Sequence, residues 1–203
     1  NTDVIIGNPP VDLIKEAKGL KWIHLGSAGA DRFVNEGVLP AGTILTNSSG
    51  AYGPAIADYM LAVLLELFHN LHLYRDNQML NLWKDEGCVR SIRECVVLIV
   101  GLGDIGGEFA KRIKALGGYT IGVRRTNHSR PDYVDELYLA DELDTILPRA
   151  DVVALTLPGT RETYRLFSAE RLKKIKPGAV IINIGRGTAI DTDALCDCID
   201  SGH

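Results

Sequence analysis

The stretch "VVLIVGLGDIGGEFAKRIKALGGYTIGV", residues 96–123, constrains the fold of this chain more than any other. Its first five residues are apolar without alternation, the pattern of a strand buried on both faces and hence of a parallel sheet covered by helices. A glycine-rich turn follows at once. Beyond it Ile105, Phe109, Ile113 and Leu116 recur at helical spacing, and "YTIGV" at 119–123 reads as a second strand. Strand, glycine turn, helix and strand make one βαβ unit, which commits the chain to the α/β class.

Within the turn, Gly101-Leu102-Gly103-Asp104-Ile105-Gly106 spells G-x-G-x-x-G. Alone the hexapeptide is weak evidence, because turns are rich in glycine; between a buried strand and a helix it is specific. Gly101 allows the tight turn, Gly103 lets the backbone approach a pyrophosphate, and Gly106 lets the helix pack on the sheet. Asp104 and Ile105 open the helix, whose unpaired N–H groups and positive dipole end suit phosphates. A bound dinucleotide is the expectation.

The second strand should end beside the adenosine ribose, where an acidic residue about 20 positions after the turn ordinarily grips the hydroxyls. Here Arg124 stands 21 residues beyond Gly103 and is followed by Arg125 and Thr126. A guanidinium pairs with phosphate in a fork, or stacks on the adenine face. The cofactor expectation is therefore NADP, with Arg124, Arg125, Thr126 and Ser129 forming a 2′-phosphate pocket and Asn127 and His128 nearby. NAD stays open if the arginines are solvated loop residues.

Alternation of strands and helices runs through the rest of the chain. "DVIIG" at 3–7, "KWIHLG" at 21–26 and "TILTN" at 43–47 read as strands, with helical patterning in "PVDLIKEAKGL" between the first two. From Pro54 the apolar residues Ile56, Met60, Val63, Leu64, Leu67 and Leu71 predict one long connecting helix. Further strands are expected at 95–100, 151–157 and 179–184, and helices at 104–116, 141–147, 168–175 and 191–200. The fold class is a Rossmann-type doubly wound parallel sheet plus part of a second, flavodoxin-like α/β substrate domain. The boundary is drawn so that residues 1–72 form the partial substrate domain with its connecting helix, and residues 73–203 the dinucleotide-binding domain.

Composition excludes several alternatives. A net charge of −4 with acids and bases interspersed carries no electrostatic footprint for nucleic acid or an anionic membrane. The apolar runs at 60–68 and 95–103 fall well short of the roughly 20 residues of a membrane span. Four cysteines in a chain of 203 residues suit reduced thiols and a cytoplasmic location. Cys196 and Cys198 lack a second ligand pair, so no metal is expected, and Cys198 fits an apolar stripe with Leu195 and Ile199.

The blocks "KWIHLGSAGADRF", "ILTNSSGAYGPAIADYMLAVLLEL", "VLIVGLGDIGGEFAKRIKALG" and "ADVVALTLPGTRETYRLFSAERLKKIKPGAVIINIGRG", with "ALCDCIDSGH" after them, resemble the D-2-hydroxyacid dehydrogenase family, in the family's order and over nearly the whole chain. The resemblance implies a dimeric, two-domain enzyme that moves hydride between NAD(P)H and the carbonyl of a small 2-keto acid such as glyoxylate or hydroxypyruvate. It makes Arg186, in the block Asn183-Ile184-Gly185-Arg186-Gly187, the catalytic arginine that polarises the carbonyl, with Ile184 and Gly185 counted among the cofactor contacts. It gives Ser27-Ala28-Gly29 to the substrate carboxylate, a role that a glycine-containing turn after a strand can fill as an anion nest, and sets Tyr52 in the same cleft. Leu157, Pro158 and Thr163 match the segment that skirts the cofactor's ribose and nicotinamide.

The family's catalytic glutamate and acid/base histidine fall beyond residue 203, so the expectation is a chain incomplete at both ends. His203 matches a helix end rather than that histidine, and His24, His69 and His72 read as structural. An alkoxide formed by hydride transfer needs a proton, and Arg186 is too basic to donate one readily. Two other readings stay open: a phosphoglycerate dehydrogenase-type enzyme, and a non-catalytic NAD(P)-sensing binding protein resembling the family's corepressors.

Overall fold

The computed structural model describes residues 2–126 and 129–203. Asn127 and His128, expected beside the phosphate pocket, lie outside the described residues. The chain divides into two compact units, residues 1–52 and Gly53–His203.

In the first unit β1 (Val4–Ile6), β2 (Trp22–Leu25) and β3 (Ile44–Asn47) form a parallel sheet in chain order, with α1 (Val11–Lys15) crossing between the first two. Side chains of one pleat face, Ile23 and Leu25, bury against Ile14, Leu20 and Phe33. On the other face Val4, Trp22 and Ile44 lie in one row across the three strands and remain exposed.

The second unit holds β4 (Val96–Val100), β5 (Tyr119–Arg124), β6 (Glu136–Leu139), β7 (Val152–Leu155) and β8 (Val180–Asn183), all parallel, in the order β6-β5-β4-β7-β8. This is a Rossmann-type arrangement: the chain winds outward from β4 to β6, then returns to the other side of β4, leaving a crevice at the carboxyl ends of β4 and β7. The unbroken apolar run of β4 has the expected reason. Val97 and Ile99 pack under α2 (Gly53–Phe68) and α4 (Asp104–Ala115), while Leu98 and Val100 pack on the opposite face with Ile121, Leu155 and Phe167. α5 (Leu143–Ile146), α6 (Ala169–Leu172) and α7 (Thr192–Asp200) cover that second face through Leu143, Leu172, Ala194 and Cys198.

Three features depart from the sequence-based expectation. The compact units divide at Tyr52/Gly53, ahead of the 72/73 line drawn from the sequence by role, because α2 buries Ala57, Met60, Leu64 and Phe68 in the second unit's core. The long helix is two: Asn70 adopts a left-handed conformation at φ 53°, and α3 (Leu71–Met79) leaves at 68° to α2. Leu67 and Leu71, counted on the buried face, are exposed. The strand β6 carries no expectation at all, since "ELYL" begins with a charge and sits half-buried at the sheet edge.

No single helix among the described residues is long and apolar enough to cross a membrane. The four cysteines are free, with Cys198 buried and Cys196 exposed.

Candidate functional site

The glycine turn leaves β4 at its carboxyl end. Gly101 has φ +103°, a conformation that side chains resist, and its N–H donates to the Val123 carbonyl at 3.0 Å. A Cβ on Gly106 would overlap the Gly101 carbonyl oxygen, so the first turn of α4 lies directly on the strand end. Thr156, at the end of β7, donates its hydroxyl to that same carbonyl at 2.5 Å and fixes the turn from the neighbouring strand. Gly103 is the N-cap of α4 and meets nothing within 4 Å of its Cβ position. The open side of the turn therefore faces the first-turn N–H groups of α4, which have no partner within the helix.

Asp104 turns away from this opening. Its carboxylate lies where a Cβ of Gly53 would stand, at the start of α2. Ile105 packs against the core beneath the sheet.

A cleft of about 570 Å³ extends from the turn. Gly101, Leu102 and Gly103 form one end; Arg124, Arg125 and Thr126 form a wall at the end of β5; Leu157, Pro158, Thr160, Glu162 and Thr163 form the facing wall after β7. The two arginines differ in environment. Arg124 is half-buried, donates Nη2–H to the Leu102 carbonyl at 3.2 Å, and keeps an Nε donor that is buried and has no partner among the described residues. Arg125 and Thr126 are exposed at the mouth.

The facing wall is fixed by its own hydrogen bonds. Thr163 donates to the Pro158 carbonyl at 2.7 Å and accepts from the Thr160 N–H at 2.9 Å. The Thr160 hydroxyl beside Glu162 holds that carboxyl below the usual range, aided by its own backbone N–H and by the charges of Arg125 and Arg161, against a small cost of burial.

Arg186 stands after β8, clear of this cleft but beside its facing wall: a Cβ on Gly159 would lie 3.1 Å from the Arg186 Cγ. The turn that carries it is clamped by Asn183, whose Nδ2 donates to the Arg186 carbonyl at 3.0 Å and whose Oδ1 accepts from the Gly185 N–H at 3.0 Å. Ile184 and Gly185 both donate backbone N–H to the Leu155 carbonyl, and a Cβ on Gly185 would collide with the Leu157 backbone. These two residues align the β8 turn with the 157–163 segment rather than line the cleft.

In the first unit, Ser27, Ala28 and Gly29 follow β2 in a turn whose carbonyls are all engaged. Gly26 accepts from the Tyr52 hydroxyl, Ser27 from the Ser48 N–H at 3.2 Å, Ala28 from Asn47 Nδ2 at 2.7 Å and Gly29 from Ser27 Oγ at 2.9 Å. A trans peptide points its N–H opposite to its carbonyl. Each N–H that follows one of these engaged carbonyls points away from that carbonyl's partner. Asn8 steadies the entry to the turn, accepting from the Gly26 N–H at 2.9 Å and donating to Ser27 Oγ at 2.7 Å. Tyr52 thus contacts the turn through its hydroxyl. His24 bridges Thr46 at 2.9 Å and Ser48 at 3.4 Å, and His203 is exposed at a chain end.

Sequence reasoning missed Asn8, Asn47, Thr156, Thr160, Glu162 and Asn183. Only Asn183 carried a signal, as the first residue of the glycine-arginine block. A larger cavity, about 690 Å³, lies beside α3 between Tyr74 and Trp83, and it holds none of the candidate residues. Among the described residues no group of three or more His, Cys, Asp or Glu is placed to hold a metal ion.

Residues 61–203 match the family described as D-isomer specific 2-hydroxyacid dehydrogenase, NAD binding domain. Glyoxylate/hydroxypyruvate reductase B of Pectobacterium carotovorum is 31% identical over 205 residues, which cover 97% of this chain and 62% of that protein. A D-isomer specific 2-hydroxyacid dehydrogenase family protein from Aeromonas salmonicida superposes with a TM-score of 0.91 at 33% identity, covering 98% of this chain and 64% of that one. An NADPH-dependent glyoxylate/hydroxypyruvate reductase from Sinorhizobium meliloti, solved with NADP and sulfate, superposes with a TM-score of 0.85 at 26% identity over 98% of this chain and 64% of that one. The chain thus spans less than two thirds of the length of each of these three.

Proposed function

This chain belongs to the D-isomer specific 2-hydroxyacid dehydrogenase family, and from that premise we propose that it serves an NADP-preferring reductase of small 2-keto acids such as glyoxylate or hydroxypyruvate. The observation that carries the reading is the single cleft that joins the Gly101–Gly106 turn to Arg124, Arg125 and Thr126. The residues fit a dinucleotide: the turn is open at Gly103, where a pyrophosphate would lie, and Arg124 keeps a buried unpaired donor that an acceptor on the ribose side would satisfy. Relatives of the same class include one solved with NADP.

When bound, the nicotinamide exchanges a hydride with the substrate carbon. The chain's own residues bind and orient around that exchange. Gly101, Gly103 and the first turn of α4 would hold the diphosphate, Arg125 and Thr126 would take a 2′-phosphate, and Leu157, Pro158 and Thr163 would contact the nucleoside beyond it. Arg186 would polarise the carbonyl and stabilise the negative oxygen that forms. Ser27, Ala28 and Gly29 offer N–H groups to the substrate carboxylate, with Tyr52 and Asn47 holding the turn. By role, residues 1–72 are the substrate side with its connecting helices and residues 73–203 the dinucleotide side. The working form on this reading is a cytoplasmic homodimer that binds neither nucleic acid nor membrane.

The test is a titration of the chain with NADPH and NADH side by side, followed by nicotinamide fluorescence. NADPH should bind at least about tenfold tighter, a difference of about 1.4 kcal/mol, and Arg125→Ala should abolish the difference while leaving NADH affinity near its starting value. Equal or tighter NADH binding would sink the NADP assignment. Turnover of glyoxylate and hydroxypyruvate, lost in Arg186→Ala with cofactor binding retained, separates the enzyme from a purely sensory binding protein.

A further inference from the structure

Two successive carbonyls of the glycine turn are each held by a side chain from a neighbouring strand end. The Gly101 carbonyl accepts from the Thr156 hydroxyl at 2.5 Å, and the Leu102 carbonyl from Arg124 Nη2 at 3.2 Å. Gly122 and Arg124, two residues apart on β5, lie on one face of that strand. Gly122 gives the face a notch: a Cβ there would stand 2.2 Å from Leu102 Cδ1, and Leu102 is only 8% exposed. Leu102 is therefore gripped twice from β5, by its side chain at Gly122 and by its carbonyl at Arg124. The Leu102–Gly103 peptide is trans, so the Gly103 N–H points away from the guanidinium. That orientation sets how the chain enters α4 at Gly103, the N-cap.

The two arginines are placed differently. Arg124 is half-buried, with an Nε donor that is buried and has no partner among the described residues, whereas Arg125 is exposed at the mouth. We propose that Arg124 is a positioning residue for the dinucleotide diphosphate: through the Leu102 carbonyl it fixes the peptide that enters α4, and it strengthens binding of the 2′-phosphorylated and the unphosphorylated carrier by the same factor. The inference rests on the reading of the Gly101–Gly106 turn as the diphosphate site. Without the guanidinium the Leu102 carbonyl loses its donor, and the peptide gains freedom that binding must then remove. The loss falls on the diphosphate, which both carriers share. Discrimination between them is left to Arg125 and Thr126.

The experiment is a fluorescence titration of the chain, of Arg124→Met and of Arg124→Lys with NADPH and with NADH in 0.5 M salt, where charges more than about 4 Å apart are largely screened. Methionine keeps an unbranched stem and removes the donors, whereas lysine keeps a donor on a longer stem. Arg124→Met should weaken both carriers by about three- to tenfold with their affinity ratio held within about twofold, and Arg124→Lys should recover most of the loss. Melting of each ligand-free variant checks the fold: a role confined to stability would lower Tm and leave the affinities of the folded chain unmoved. A fall in NADPH affinity at least about threefold greater than that in NADH would make Arg124 a 2′-phosphate ligand and overturns the inference. Unchanged affinity for both carriers overturns it too, as does a lysine variant as weak as the methionine one. The dinucleotide reading is judged by the wild-type chain alone: if that chain binds neither carrier, the reading fails before any variant is compared.

Discussion

Two glycines set the geometry of the cleft, and one of them supplies the sharpest single-residue test. A Cβ on Gly106 would overlap the Gly101 carbonyl oxygen and press on Thr156 Oγ1 at 2.7 Å, so Gly106→Ala must push α4 away from β4. Overpacking of this kind costs about 1–3 kcal/mol, and for a chain of this size each kcal/mol lowers Tm by about 2–4 °C. The expected outcome is a Tm lowered by several degrees together with dinucleotide affinity reduced by at least about tenfold; calorimetry and the NADPH titration read the two effects. Gly103→Ala is the control, since its Cβ position is empty: it should leave the unfolding free energy within about 0.5 kcal/mol of wild type and weaken binding only. A Gly106→Ala variant that binds normally would show that the close approach of helix to strand is dispensable.

At the level of elements, the edge strand β6 is held by a charge cluster in addition to the partly buried Leu137 and Tyr138. Glu136 accepts from Arg149 Nη1 at 2.9 Å and Nη2 at 2.5 Å, from the Tyr138 hydroxyl at 2.5 Å and from the Tyr119 hydroxyl at 2.7 Å. Chiefly through Arg149, then Tyr138 and Tyr119, its carboxyl is lowered from 4.5 to about 2. A carboxylate whose folded pKa is depressed stabilises fully above its unfolded pKa and loses that contribution as pH falls toward the folded value. The Tm advantage of wild type over Glu136→Gln should therefore be constant above pH 5 and dwindle between pH 4.5 and about 2; an advantage independent of pH would mean the charge is not what holds the strand. This strand also marks the limit of what the sequence disclosed. β4, α4 and β5 were legible because burial on both faces and the glycine spacing are local patterns. β6 was not, because its stabilising partners Tyr119 and Arg149 lie 17 and 13 residues away. The break between α2 and α3 hid for a different reason: the apolar spacing runs on through it, and only the left-handed Asn70 turns the chain. In the site, the glycines, arginines and the 183–187 block announced themselves, whereas Asn8, Asn47 and Thr156 act through bonds that fold distant segments together.

For the whole molecule, the unequal cores of the two units predict unequal stability. The first unit buries Ile14, Leu20, Ile23, Leu25 and Phe33, whereas the second packs both faces of a five-stranded sheet. Small cores leave little surplus over conformational entropy. Residues 53–203 expressed alone should fold cooperatively and bind the dinucleotide within about threefold of the intact chain, while residues 1–52 alone should not fold. In the intact chain carrying Trp83→Phe, Trp22 is the remaining indole and reports the first unit; its fluorescence should change at lower urea than the helical circular dichroism. Coincident transitions would show that the units unfold as one.

The placement of Arg125 on an exposed loop beyond the end of β5 has an evolutionary consequence. Its side chain contributes nothing to the sheet's interior, so on the proposed reading an exchange there would alter which redox pool the protein draws on without passing through a misfolded ancestor. Such a position would be the cheap route for a lineage, or an engineer, to move from one electron carrier to the other, and the glycines beneath are the part that must stay.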